Sequence, residues 1–134
     1  MMQMVHSRFN ALLSACVLSL IATAGWSQSL TWLGTLPGYD RSSEAWGVSA
    51  DGRVVVGGAY NAAGQQRAFR WENGVMQNLD TLGSISSVAY GVSADGAVVV
   101  GGAHNAAWQA RAFRWTAAGG MQDLGTLGGV RSEA

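Results

Sequence analysis

The chain has one cysteine, one proline, two histidines and no lysine in 134 residues. Each scarcity excludes something. Cys16 lies in the N-terminal apolar run, so the chain beyond residue 24 holds no disulfide and no thiolate nucleophile. Beyond that point His104 is the single histidine, so neither a histidine metal site nor a Ser-His-Asp triad can recur along the chain. Eight arginines face eight acids for a net charge of zero, and the basic footprint of a nucleic-acid binder is missing. Charged residues make up only 12%, against 19 glycines and six tryptophans. Disorder needs more charge and fewer aromatics. This composition suits an all-β protein with many tight turns.

The first residues read as an export signal. Arg8, with His6, gives a weakly positive start, and Ala11 to Ala24 is apolar apart from small polar residues. Ala22-Thr23-Ala24 is a small-x-small cleavage site. Residues 1–24 are therefore expected to be a signal helix cut after Ala24, with Ser27 as the second choice. The run is shorter than the roughly 20 residues a membrane span needs. An uncleaved anchor is one alternative. Lipidation of Cys16 after Leu13-Ser14-Ala15 is another, opposed by the apolar residues after it. Residues 25–134 are expected to be exported to the periplasm, cell surface or medium and not to span a membrane.

The remainder of the chain is a repeat. Ala45–Trp71 and Ala89–Trp115 are identical except for Trp46/Tyr90, Arg53/Ala97, Tyr60/His104, Gly64/Trp108 and Gln66/Ala110. A Leu-x-Thr-Leu phrase keeps the same period at Leu33–Leu36, Leu79–Leu82 and Leu124–Leu127. The repeats run over 33–78 and 79–123, with a partial third over 124–134. Each unit predicts four short strands. In the first they are Glu44–Ser49, Arg53–Tyr60, Arg67–Trp71 and Val75–Leu79. Asp51-Gly52 and Asp95-Gly96 predict type I′ hairpin turns, and Asn73-Gly74 a further turn. Three consecutive valines predict a strand buried on both faces. Gly57-Gly58 is expected where adjacent sheets approach closely. Four strands in one such period match a β-propeller blade. A β-sandwich or β-solenoid is the rival architecture.

The unit Gly47-Val48-Ser49-Ala50-Asp51-Gly52, then Val55-Val56-Gly57, then Arg67-Ala68-Phe69-Arg70-Trp71 resembles the HAF-type extracellular repeat family. The closing Met121-Gln122-Asp123-Leu124-Gly125-Thr126-Leu127-Gly128-Gly129 matches that pattern best. The resemblance covers nearly everything after the leader. It departs at the family's eponymous histidine, where Arg67 and Arg111 stand. It implies exported or surface-associated bacterial proteins with tandem, propeller-like units, and no established activity. Two units and a piece do not close a ring of four to eight blades. The expectation is a piece of a larger propeller, with assembly from several chains or a small sandwich as alternatives.

No residue is assigned to catalysis, metal or cofactor. Asp51, Gly52, Asp95 and Gly96 read as turn formers. Arg67, Arg70, Arg111 and Arg114 read either as an anion clamp or as structural ion pairs with Asp80 or Asp123. Trp71 and Trp115 read as blade core. Candidate ligand or partner contacts are the positions that vary between repeats: Tyr60, His104, Trp108, Trp46 and Tyr90. Aromatic rings there can stack on a sugar or grip a protein. The expected function is a non-catalytic binding or surface-structural module. The alternatives are a carbohydrate-binding propeller assembled from several chains and the non-catalytic portion of a secreted propeller enzyme.

Overall fold

Sequence alternation and turn chemistry place eight strands in the computed structural model, which describes residues 29–134. The leader over residues 1–24, its cleavage site and Cys16 lie outside the described residues. The strands are β1 (Ser42–Val48), β2 (Val54–Tyr60), β3 (Gln66–Glu72), β4 (Val75–Asn78), β5 (Gly83–Val92), β6 (Val99–Asn105), β7 (Ala110–Thr116) and β8 (Gly120–Asp123). Among the described residues all regular structure is strand, and no helix is long and apolar enough to cross a membrane. β1 to β4 form one antiparallel meander and β5 to β8 a second with the same order. A single parallel pairing, Gln66 with Ser86, joins β3 to β5. The eight strands form an open sheet that does not close on itself.

Strand pairing gives each meander two faces. One carries Val55, Ala59, Phe69 and Trp71 in the first meander and Val99, Ala103, Phe113 and Trp115 in the second; it is called face A. Face B carries Val54, Val56, Ala68 and Arg70 in the first, and Val100, Ala112 and Arg114 in the second. The main core forms where face B of the first meander meets face A of the second. Val54, Val56, Ala68 and Leu79 pack there against Ala89, Val99, Phe113 and Trp115. A smaller cluster covers part of face A of the first meander, with Leu36 and Tyr39 on Ala59, Phe69 and Trp71.

The valine triplets therefore bury one face each, not both. Val54 and Val56 are buried and Val55 is half-buried, whereas Val99 is buried between half-buried Val98 and Val100. The reason is that each meander has one meander neighbour, so each triplet has one fully covered side. Trp115 is buried at the junction, and Trp71, its counterpart on the outer face, is only half-buried.

Turn chemistry is half as expected. Asn73 (φ 52°) and Gly74 (φ 80°) both occupy the left-handed region that a type I′ turn needs. At the Asp-Gly turns only the glycine does, with Gly52 at φ 74° and Gly96 at φ 75°. The side chains explain the difference. Ser49 Oγ donates to Asp51 Oδ1 at 2.7 Å, and the same oxygen accepts the Arg53 N–H at 3.0 Å. The Val54 N–H returns to Ser49 Oγ at 3.1 Å. Ser93, Asp95, Ala97 and Val98 repeat the frame. A hydroxyl-carboxylate clip thus closes a longer loop than the two-residue turn read from Asp-Gly.

The clip holds the Asp51 carboxyl below its ordinary value of 3.8, first through the Ser49 hydroxyl and then through the Arg53 N–H. Asp95 is lowered likewise by Ser93 and then by the Ala97 N–H. A carboxyl lowered by folding contributes stability that is complete above its unfolded value. That contribution is lost as pH falls through the lower folded value. The expected result is that the urea midpoint of the wild type falls on acidification below 3.8. The D51N/D95N chain starts lower at neutral pH and falls less. Parallel acid losses in the two chains would show that the clip does not act this way.

Candidate functional site

The positions that differ between the repeats lie on strand ends, loop tips and bulges. The loop from Asn105 to Gln109 is built by one side chain. Asn105 Oδ1 accepts the N–H groups of Ala107 and Gln109, each at 3.0 Å, and its Nδ2 donates to Gln109 Oε1 at 3.1 Å. The Trp108 N–H donates to the Asn105 carbonyl at 2.9 Å. Asn61 and Gln65 build the equivalent loop in the first repeat. The frame demands a left-handed residue at its fourth position. Gly64 meets that demand at φ 76°, and Trp108 adopts it at φ 60°. For a large side chain this backbone costs about 1–3 kcal/mol, and such strain collects at functional positions. The Trp108 ring is 64% exposed and lies 6.4 Å from the His104 ring at a tilt of 50°.

His104 also faces a cleft of about 130 Å³ shared with Gln66, Tyr90, Arg131 and Glu133. The Tyr90 hydroxyl points to Glu133 Oε1 at 3.5 Å, and burial, then the Glu133 charge, raises the phenol above 10.0. The first repeat has its own groove of about 220 Å³ beside Arg41, Glu44, Tyr60 and Gly64. Both volumes fall below the roughly 300 Å³ at which small-molecule pockets begin. Neither is large enough to enclose a ligand of that size.

Two of the differences between repeats are one change. Tyr60 and Gln66 are cross-strand partners, and the Gln66 amide donates to the Tyr60 hydroxyl at 2.7 Å. In the second repeat that pair is His104 and Ala110, and the polar bond is gone. His104 is freed toward the cleft and toward Trp108. Trp46 and Tyr90 sit at the β-bulges of β1 and β5, and their rings meet edge to face at 6.5 Å. Four of the five candidate contacts thus form two ring pairs, and Tyr60 lines the groove of the first repeat while its hydroxyl accepts from Gln66 at the edge of the His104 cleft.

Three of the four recurrent arginines are held by contacts within the fold. Arg67 donates to the Ile85 carbonyl at 2.6 Å and lies over the Tyr39 ring at 5.2 Å. It has no ion pair with Asp80 among the described residues; Asp80 turns back on its own loop at φ 73° and accepts the Thr81 N–H. Arg111 donates to the Val130 carbonyl at 2.7 Å and does pair with Asp123 at 3.6 Å. Arg70 binds Glu72 at 2.8 Å and donates from Nε to the Gly96 carbonyl at 3.0 Å. Arg114 is exposed. The two arginines of a pair stand on opposite faces, so neither pair forms a clamp on one anion.

Gly57 also differs from expectation. A Cβ there would overlap the Glu44 carbonyl of its own sheet, brought close by the β1 bulge. Of the two, Gly58 looks across to the other meander: a Cβ there meets Gln66 Nε2 at 2.7 Å and Val88 at 3.3 Å. Sequence reasoning missed both bulges and the roles of Gln66, Arg131 and Glu133. The Trp108 strain had a readable signal, since tryptophan replaces glycine within an otherwise identical loop. Among the described residues no three of His, Cys, Asp or Glu come together as a metal site. Comparison with protein-family models, with curated proteins and with solved structures gives no match.

Proposed function

We propose that the chain is an exported repeat protein that acts as a non-catalytic binding or surface-structural module. In this reading the meanders are propeller-like blades of the HAF-type extracellular repeat. The observation that carries the binding role is Trp108, an exposed ring in a left-handed backbone beside His104. Identical loop frames make the comparison internal. The first repeat places glycine where the second places a strained aromatic, so the ring itself is the difference to be explained. Four-stranded meanders of a common order support the blade reading, as do the matched contacts of Arg67 with the Ile85 carbonyl and of Arg111 with the Val130 carbonyl.

Carbohydrate is the second reading of the ligand, favoured by the exposed Trp108 face and the neighbouring imidazole and carboxylate. Sugar rings stack on such faces. Titration of a soluble glycan panel, read by tryptophan fluorescence, tests it. A binding glycan quenches emission, and Trp108→Ala weakens it about tenfold or more, as for an aromatic anchor. No response to any glycan, with protein partners still captured through Trp108, would leave the binding role and remove the sugar. Export is checked separately by N-terminal sequencing of secreted material, expected to start at Gly25.

A further inference from the structure

The junction between the two meanders is directional. Face B of the first meets face A of the second, and the turn loops join across it. The Ala50 N–H donates to the Ala94 carbonyl at 3.1 Å, and Arg70 reaches the Gly96 carbonyl. Because the repeats are nearly identical, outer face A carries the residues of inner face A, and outer face B matches inner face B except at Tyr60/His104, Gln66/Ala110 and Glu72/Thr116. Their exposure shows what they lack. Leu79 at the junction is 2% exposed, and its counterpart Leu124 is 54% exposed. Val92 packs on the junction core, and its counterpart Val48 is 60% exposed. Gly96 is buried on Val54, and a Cβ at its counterpart Gly52 meets nothing within 4 Å. Arg114, counterpart of Arg70, has no hydrogen-bond partner among the described residues.

We infer that these outer faces bind each other between two copies of the chain, head to tail. Face B of the second meander in one copy takes face A of the first meander in the next. Arg114 donates to the Gly52 carbonyl of the next copy, and the Ala94 N–H to its Ala50 carbonyl. Each contact is the internal one repeated one unit further on. The internal junction packs the matching pair of faces; on outer face A, Leu36 and Tyr39 cover Phe69 and leave Val48 and the Gly52 turn open to the next copy. The strip beside Gly102 is covered by the chain's own tail, whose Ser132 hydroxyl accepts the Ala112 N–H at 2.9 Å. An incoming β1 brings the same Ser-Glu-Ala, Ser43 to Ala45, to that strip. Exchange of tail for strand therefore retains the serine contact. Such a contact is heterologous, so it extends to a ring or a filament.

The test uses one block on each face, in the chain as isolated. Arg114→Glu blocks face B and Val48→Glu blocks face A, both at exposed positions. Light scattering over a dilution series should show the wild type associating. Each variant alone should have its dissociation constant raised about tenfold or more, as for a central contact. An equimolar mixture should recover a dimer, since each variant retains the face that the other needs. Circular dichroism must show the wild-type strand signal and melt for both variants. A wild type that stays monomeric throughout overturns the inference and leaves the faces to repeat units from another chain. Association that the mixture fails to recover also overturns it, because a symmetric contact has no such complementation.

Discussion

Phe113→Ala is expected to lower the unfolding free energy by about 3–5 kcal/mol, the range for deleting a fully buried phenylalanine. The ring is wholly buried and sits at the junction with Val54, Val56 and Leu79 above it and Val99 and Trp115 beside it. Those neighbours belong to two meanders held by strand pairing, so they cannot collapse far into the cavity. Phe69→Ala is the internal comparison. Phe69 is equally buried and occupies the same place in the first repeat, but Leu36 and Tyr39 cover it from an irregular segment. Loop residues move more readily into a void than paired strands do, so its loss should be smaller by about 1 kcal/mol or more. Urea denaturation of both variants, with an unchanged slope, decides the order. Equal losses would mean that the junction is no more rigid than the outer cover.

That comparison also shows where sequence can and cannot lead. Strand positions are legible because alternation and turn residues are local, and the Asn73-Gly74 turn needs only two adjacent residues. Whatever depends on two strands at once is hidden. The bulges at Trp46 and Tyr90 exist only in the register with β2 and β6. In the sequence Gly57 reads as a contact between sheets, because the bulge that needs it is invisible there. Asp51 reads as half of a two-residue turn, because that rule weighs only backbone preference and omits the competing capture by the Ser49 hydroxyl. The valine triplets are right in character and wrong in cover, since burial depends on how many neighbours a meander has. Of the candidate site, the variable positions can be identified by aligning the repeats. Their grouping into Trp46 with Tyr90 and His104 with Trp108 cannot, because it depends on the bulges and on the loop frame.

Gly101→Ala and Gly102→Ala are expected to act in opposite directions although the residues are adjacent. A Cβ on Gly101 overlaps the Val88 carbonyl and comes within 2.9 Å of both Ala89 Cα and a Phe113 ring carbon. None of the three can yield cheaply. Val88 and Ala89 are fixed by pairing to β6 next to the bulge, and Phe113 fills the main core. The variant should lose about 3 kcal/mol, the upper end of the usual overpacking penalty. A Cβ on Gly102 meets only Glu133 and Tyr90 side chains at 3.7 Å and beyond, which is ordinary contact. There alanine mainly reduces the freedom of the unfolded chain, a gain of about 0.4–1 kcal/mol. Melting curves of the two single variants separate the causes. If both lose stability alike, the contact with the Val88 carbonyl is not what sets the loss at Gly101. If only Gly101→Ala falls, the glycine is there because β5 leaves no room for a side chain. Gly57, which meets Glu44 in the same way, should then behave as Gly101 does.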